Sequence, residues 1–510
     1  MKRTSTLAAL AVCASAVVGL SALGSPASAN PTPATPFRVL VGQGSDTTQD
    51  VMNGFADSIL ASGSDYRETG LLFAATVVGD TSIKTSLIPA VGDSLTIDTG
   101  ANAETVTVSA ITGTATANTL ATNTGTGNAV PFNTVTVGAL TKAHAANAIV
   151  VGKLVPAGTK VMASYDAQGA AFQSKNNANC QYIANNTGTG FYTGTTQNNS
   201  VQAGTLANAT YLSGGRANGS GNGARAMADA YTATNGIWGC TDFGRASSKR
   251  NNVTGLGLNQ TVNIPFAIDA VDFAVTTTSN YSRLLTWDQI KAIYRCTFPG
   301  MIPAGTVIPA GTSTQAYAAA NGFTYATLPQ AGSGTSDFLN NALGLTTLGT
   351  NTSGDRGAAC ITDKTPSGGV LEEHDLRTLD DNGIGATSIA QSITQRAQAV
   401  AGVGDRQGRT VLVALDNRAA SNGGVAHGNA KLNYAVAMTS QFAGSTGNTA
   451  GNLQMWRDVF NVVPVNRLAD PNFQAAFVGP TSSLCADVNN VIPTYGFAPN
   501  PSCGITTNLG

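Results

Sequence analysis

The chain has 510 residues, only 11% of them charged, with 27 basic against 28 acidic side chains and a formal net charge of −1. That balance excludes the basic footprint a nucleic-acid partner needs, and a hydrophobic share of 42% excludes a disordered chain. An anion site in such a protein has to draw on backbone N–H groups and hydroxyls rather than on a field of lysines.

The first residues read as a secretory leader: Lys2 and Arg3, an apolar run from Leu7 to Leu23, and the small-residue cleavage motif Ala27-Ser28-Ala29. They predict a signal peptide over 1–29 and a secreted, cell-surface or periplasmic protein. Cys13 follows Val12 rather than the small residue expected at a lipid-attachment site. Six cysteines remain after cleavage: Cys180, Cys240, Cys296, Cys360, Cys485 and Cys503. An even number in an exported chain suits disulfides, and neighbours in sequence (180 with 240, 296 with 360, 485 with 503) are the expected pairs. No CxxC-type spacing occurs, and His144, His374 and His427 stand singly, so they read as hydrogen-bonded surface histidines rather than metal ligands. No cofactor is expected.

"FRVLVGQGSDTTQDVMNGFADSIL" (37–60) predicts a strand from Phe37 to Val41, a glycine turn from Gly42 to Ser45, and a helix carrying Val51, Phe55 and Ile59. From 68 to 154 the chain turns to alternating runs, "SLTIDTG", "ETVTVSAI" and "NTVTVGAL", which predict an inserted small all-β domain. This stretch resembles short β modules of bacterial surface and phage proteins. The α/β pattern resumes at "NGSGNGARAMADAY", where Ala224, Met227, Ala228 and Tyr231 share a helical face after Ser220, and "GIWGCTDFG" reads as a short buried strand. Two strand-like runs follow over 264–275. A capping box then opens a helix, with Thr286 as cap, Gln289 three residues on, and Trp287, Ile290 and Tyr294 on its apolar side. After a Pro/Gly/Thr-rich excursion (299–316), "GSGTS" (332–336) precedes a helix whose buried side holds Phe338, Leu339, Ala342 and Leu343. "NGIGATSIAQSITQRAQAV", "GRTVLVAL" and "LNYAVAMTS" continue the alternation, which argues for α/β layers with largely parallel sheets.

Three loops share one design: Gly44-Ser45-Asp46-Thr47-Thr48, Gly219-Ser220-Gly221-Asn222-Gly223 and Gly332-Ser333-Gly334-Thr335-Ser336, each ahead of a helix. A bare loop at a helix N-terminus lets N–H groups and hydroxyls approach an anion closely. Taken in order with "DFGRASS", "IPFAIDAVDFAV" and "LTWDQIKAIY", these loops resemble the phosphate-binding subunit of bacterial phosphate ABC transporters, over about 37–60 and 160–415. The resemblance implies a two-lobed periplasmic-binding-protein-like fold of type II, interrupted by the β insertion. Residues 30–67 and 155–275 would form lobe 1 and 276–410 lobe 2, with 411–510 returning to lobe 1. It also implies that Ser45, Asp46, Thr47, Ser220, Gly221, Ser333, Gly334, Thr335 and Ser336 surround phosphate or a similar oxyanion. The partner implied is an ABC transporter permease, and the protein is expected to be a monomer.

Two positions depart from the family. Pro329 stands where an arginine clamp is usual, and Ser247 stands where an aspartate accepts the proton of hydrogen phosphate. Arg245 is the candidate for the missing charge, and Asp46 for the missing acceptor unless it serves as a helix cap. "LEEHDLRTLDDNGIG" (371–385) holds the densest ionisable cluster, Glu372 to Asp375, and reads as a solvated acidic turn near the lobe hinge. The motifs GxSxG, HExxH and GxxxxGK[ST] are absent, so no enzyme is expected. The competing reading is a cell-surface or secreted interaction protein on the same scaffold, its anion site decayed.

Overall fold

The strand Thr261–Thr276 is sixteen residues long and buried along its whole length. It comes from a computed structural model that describes residues 38–112, 133–166, 191–192, 216–231, 238–239, 241–250, 253, 260–330, 332–343, 359–397, 400, 403–416 and 455–507. The leader with Cys13, the pair Cys180 and Cys240, His427 and the segment LNYAVAMTS lie outside the described residues.

A ten-stranded sheet forms around that strand: eight strands run in the order Ile361–Thr362, Tyr325–Thr327, Gly383–Ser388, Thr261–Thr276, Trp456–Pro464, Phe243–Ala246, Leu40–Gly44, Met162–Tyr165, and Thr410–Leu412 and Ala498–Pro499 also pair with Thr261–Thr276. Up to Ala270 the long strand pairs antiparallel with Trp456–Pro464, and from Val271 onward it pairs antiparallel with Gly383–Ser388. Each end of the sheet is parallel: Leu40–Gly44 lies between Met162–Tyr165 and Phe243–Ala246, and Tyr325–Thr327 between Ile361–Thr362 and Gly383–Ser388. Parallel neighbours need crossovers. Helices lie in these connections: Gln49–Ser58 after Leu40–Gly44, Ser220–Asp229 before Phe243–Ala246, and Gly334–Leu343 between Tyr325–Thr327 and Ile361–Thr362; Trp287–Tyr294 and Ile389–Ala397 fall elsewhere along the chain. The mixed α/β class therefore stands.

Two cores dominate the sheet. One gathers Leu40, Phe55, Phe243, Phe266 and Phe477, and the other gathers Phe273, Ile293, Tyr294, Tyr325 and Ile384. The chain passes from the first to the second within the long strand, between Ala267 and Val271. Between 67 and 154 lie a four-stranded and a three-stranded antiparallel sheet, and their common core, including Leu95, Ile97, Val106 and Val135, draws only on residues 72–150. Leu95 and Ile97 point inward while their neighbours Ser94 and Thr96 do not, the alternation the sequence predicted.

Several local expectations need correction. The first strand runs over Leu40–Gly44 and includes the glycines read as a turn. Gly42 lies flat against Phe243, whose Cε2 would stand 2.1 Å from an added Cβ. The glycine serves close packing of parallel strands. The two runs over 264–275 are one strand, which absorbs Pro265 with a register shift between Pro265 and Ala267. His144 and His374 are buried, not at the surface; His144 stands 3.2 Å from Glu104 and 3.5 Å from Asp98. The capping box is present in both halves: Gln289 N–H donates to Thr286 Oγ1 at 3.1 Å, and Thr286 N–H to Gln289 Oε1 at 2.8 Å. Cys296 pairs with Cys360 and Cys485 with Cys503, as the sequence order suggested. No helix among the described residues is long and apolar enough to cross a membrane.

Candidate functional site

The three glycine loops meet where the two cores adjoin. Gly219, at φ +88°, opens the helix Ser220–Asp229, and a Cβ there would stand 2.7 Å from Gly332 O. Gly221 N–H donates to Gly332 O at 3.0 Å. A Cβ on Gly334 would fall 2.5 Å from Ser220 Oγ and 2.6 Å from Ser247 Oγ. Gly219 and Gly221 thus bring backbone against backbone across the junction, and Gly334 brings backbone against the hydroxyls of Ser220 and Ser247. Ser247 N–H donates to Ser220 Oγ at 2.9 Å, and the two hydroxyls lie 3.2 Å apart. Arg250 adds an ion pair across the same seam, its Nη2 2.6 Å from Asp337 Oδ2.

Beside this seam a ring of hydroxyls encloses one carboxylate. Thr47 Oγ1 donates to Glu373 Oε1 at 2.5 Å, Thr335 Oγ1 to the same oxygen at 3.1 Å, and Ser333 Oγ to Glu373 Oε2 at 3.2 Å. Ser333 Oγ in turn accepts from the backbone N–H groups of Thr335 at 3.1 Å and Ser336 at 3.4 Å, which caps the helix Gly334–Leu343. The partial positive charge of that helix end is therefore passed through a hydroxyl to the carboxylate. Arg457 Nη2 donates to Thr335 Oγ1 at 2.7 Å and stands 3.2 Å from Thr47 Oγ1, and the two threonine hydroxyls lie 3.3 Å apart. The same nitrogen lies 3.0 Å from Asp269 Oδ2. Asp269 is fixed by Ser388 Oγ and by the N–H of Ala390, at 2.9 and 3.2 Å.

The acidic cluster is thus not a solvated turn. Glu372, Glu373 and His374 are all buried, because backbone bonds lay the segment along the junction. Gln330 N–H donates to Leu371 O, Thr387 Oγ1 to Glu373 O, and Gln395 Nε2 to His374 O. Glu372 Oε1 accepts from Asn218 Nδ2 at 2.8 Å, and its other oxygen stands 3.4 Å from His374 Nε2. Burial pushes the Glu372 carboxyl up to about 7 and holds the His374 imidazole well below its ordinary value.

Of the remaining predicted residues, Asp46 does not cap a helix with its side chain. Its Oδ2 accepts from Gln330 Nε2 across the junction at 2.9 Å, and burial, then the nearby Glu372 and Glu373, raise its carboxyl well above the carboxylate range. Arg245 is fully buried and does not stand in for the missing clamp. Its Nη1 and Nη2 go to Ser164 Oγ, Tyr165 O and Gly44 O, tying three strand ends together. The hydroxyls of Ser45 and Ser336, Asp46 Oδ1, and Nε and Nη1 of Arg457 are buried without a hydrogen-bond partner among the described residues.

The sequence reading missed Arg457, Gln330 and Asn218 and misjudged Glu373. Arg457 left one trace, a cation inside the apolar run "MWRDVFNVV" of a chain with few charges. For Gln330 and Asn218 the sole signal was their place at the edge of the glycine loops.

No protein-family model matches this chain, and no curated protein sequence does. Among solved structures, an ABC-type phosphate transport receptor from Vibrio cholerae aligns at 14% identity over 56% of this chain and 87% of its own, with a TM-score of 0.29. A phosphate-binding protein from Stenotrophomonas maltophilia aligns at 14% over 56% and 83%, TM-score 0.28. A possible phosphate binding protein from Planctomyces limnophilus aligns at 11% over 56% and 82%, TM-score 0.26. TM-scores this low define no ligand for the present chain.

Proposed function

We propose that the protein is an exported solute-binding protein that captures phosphate or a related oxyanion between two lobes and delivers it to an ABC-type permease. In this reading the two cores belong to the two lobes, the strands Thr261–Thr276 and Trp456–Pro464 are the crossovers between them, and residues 68–154 are an inserted β domain. The leader over 1–29 exports the chain.

One observation supports the reading above the others: Thr47 from one side of the junction and Ser333 and Thr335 from the other donate to a single carboxylate. A carboxylate and a phosphate ask for the same donors, and Arg457 beside the threonines supplies the charge that Pro329 does not. Ser45, Asp46, Ser220, Gly221, Ser247, Gly334 and Ser336 form the surrounding wall in this proposal, with Arg245 behind it.

Calorimetric titration of the purified protein with phosphate, sulfate and a phosphonate tests the proposal. One of them is expected to bind with micromolar affinity. Thr335→Ala removes a donor and an anchor for Arg457, and is expected to weaken that binding by about 10- to 100-fold, the range for a hydrogen bond to a charged group. Heat from none of the three would favour the second reading, an interaction protein. What favours that reading structurally is the β unit, whose turns expose Val77, Val78 and Val91.

A further inference from the structure

The hydroxyls of Thr47, Ser333 and Thr335, which ring the carboxylate, are already spent, while those of Ser45 and Ser336 in the wall are left without a partner among the described residues. Each threonine hydroxyl has one proton to give, and Thr47 and Thr335 both give it to Glu373 Oε1. Ser333 accepts from two backbone N–H groups and gives its proton to Glu373 Oε2. An entering oxyanion would find no free hydroxyl proton in this ring while that carboxylate stays. It would also add negative charge beside Asp46, Glu372 and Glu373, a cluster whose mutual repulsion already helps raise the Asp46 carboxyl. Exchange of one anion for another avoids both costs.

The surroundings allow the exchange to be a side-chain event. Carbonyls of Leu371, Glu373 and His374 are held by Gln330, Thr387 and Gln395, so the backbone of the segment is fixed to its own side of the junction. The Glu373 side chain reaches Thr47 on the other side, next to the crossings of Glu372 to Asn218 and of His374 to Gln49, whose Nε2 atoms stand 3.2 Å apart.

We propose that the Glu373 carboxylate is a built-in occupant of the anion cage, latching the two lobes together until an oxyanion displaces it. The proposal rests on the cage being an oxyanion site, and it adds a regulatory element to that site. A latch of this kind sets a threshold: the closed form exists without ligand, and the affinity for the free anion is lowered by what displacing the carboxylate costs.

The test compares wild type, Glu373→Ala and Glu373→Gln by calorimetry with inorganic phosphate and with sulfate, and by small-angle scattering without ligand. Both variants are expected to bind their preferred anion at least about tenfold more tightly than wild type, since the competing hydrogen bonds to a charged group are gone. Ligand-free Glu373→Ala is expected to show a larger radius of gyration, restored to the wild-type value by the anion. Glu373→Gln keeps the side-chain volume and decides the matter if the alanine variant does not melt cooperatively. Unchanged or weaker binding in the variants, with wild type binding normally, overturns the latch and leaves the oxyanion site standing. No binding by any of the three proteins overturns both.

Discussion

Glu372 shows how far burial can move one group when its neighbours only partly compensate. Its carboxyl is pushed up to about 7 first by burial, against the pull of Arg406 and the hydrogen bond from Asn218, with Glu373 and Asp375 adding repulsion. The native state therefore holds this proton more tightly than the unfolded chain, whose glutamates titrate near 4.5. The linked stability is fully present below about pH 4.5, declines as pH rises toward 7, and stays low above it. Glu372→Gln removes the titration while keeping an acceptor for Asn218. We expect the variant to match wild type at pH 4.5 and to exceed it at pH 8, by up to about 3 kcal/mol from the size of the shift. Urea unfolding at the two pH values measures this; equal stability of the two proteins at pH 8 would show that Glu372 ionises in place without penalty. At this scale the sequence was only partly legible. Ser220, Ser333, Thr335 and Thr47 announced themselves through glycine neighbours, which mark loops where backbones approach. Glu373 and Arg457 did not, because a charged residue looks the same in sequence whether it meets water or a buried partner.

The elements around the junction depend on what glycine omits. A Cβ at Gly334 would enter the space of Ser220 Oγ, Ser247 Oγ and the backbone N of Ser248, the last at 2.9 Å. On the two-lobe proposal the obstacle sits in the other lobe, so Gly334→Ala should wedge the lobes apart rather than unfold the helix Gly334–Leu343, where alanine is the better helix former. Scattering should then report a particle larger than wild type that anion does not compact, and calorimetry a loss of affinity, while the far-ultraviolet circular dichroism stays that of wild type. A variant that closes and binds normally would mean the seam has slack the packing does not suggest. Most elements could be read from sequence by their periodicity and caps, the Thr286–Gln289 box being the clearest. The exceptions share a cause. The strand Thr261–Thr276 is buried on both faces, so it carries no alternation to reveal its length, and Pro265 gave a false break that a bulge accommodates. The glycines of Leu40–Gly44 looked like a turn because sequence does not show the Phe243 ring that needs them small.

At the scale of the molecule, the question is whether the two small sheets of residues 67–154 matter to the cage. Their core uses only residues 72–150. They join the rest through the antiparallel pair Arg67–Leu71 and Ile149–Leu154, in which Leu71 faces Ile149. Around that stem specific contacts reach the rest of the molecule, Asn472 Oδ1 accepting from Arg67 N–H at 2.9 Å among them. Phe73 packs edge-on against Trp238 with ring centroids 5.6 Å apart, the Trp238 indole N–H donates to Asn147 Oδ1 at 2.8 Å, and Asn147 Nδ2 donates to Tyr231 O at 2.8 Å. None of these residues touches Thr47, Ser333, Thr335 or Glu373 through a hydrogen bond described above. Replacing residues 72–148 with Asn-Gly should leave a two-residue hairpin between strands that are already in register. Oxyanion affinity is then expected to stay within about threefold of wild type, the scatter of additivity for distant sites. Trp238, stripped of Phe73 and Asn147, should shift its fluorescence to the red, reporting that the excision took place at the surface where these sheets rest. If affinity collapses while the variant still melts cooperatively, the β unit acts on the cage at a distance, and its stem would have to transmit that effect through the helix Ser220–Asp229, which shares a core with Leu71 and Trp238 and carries Ser220 at its start.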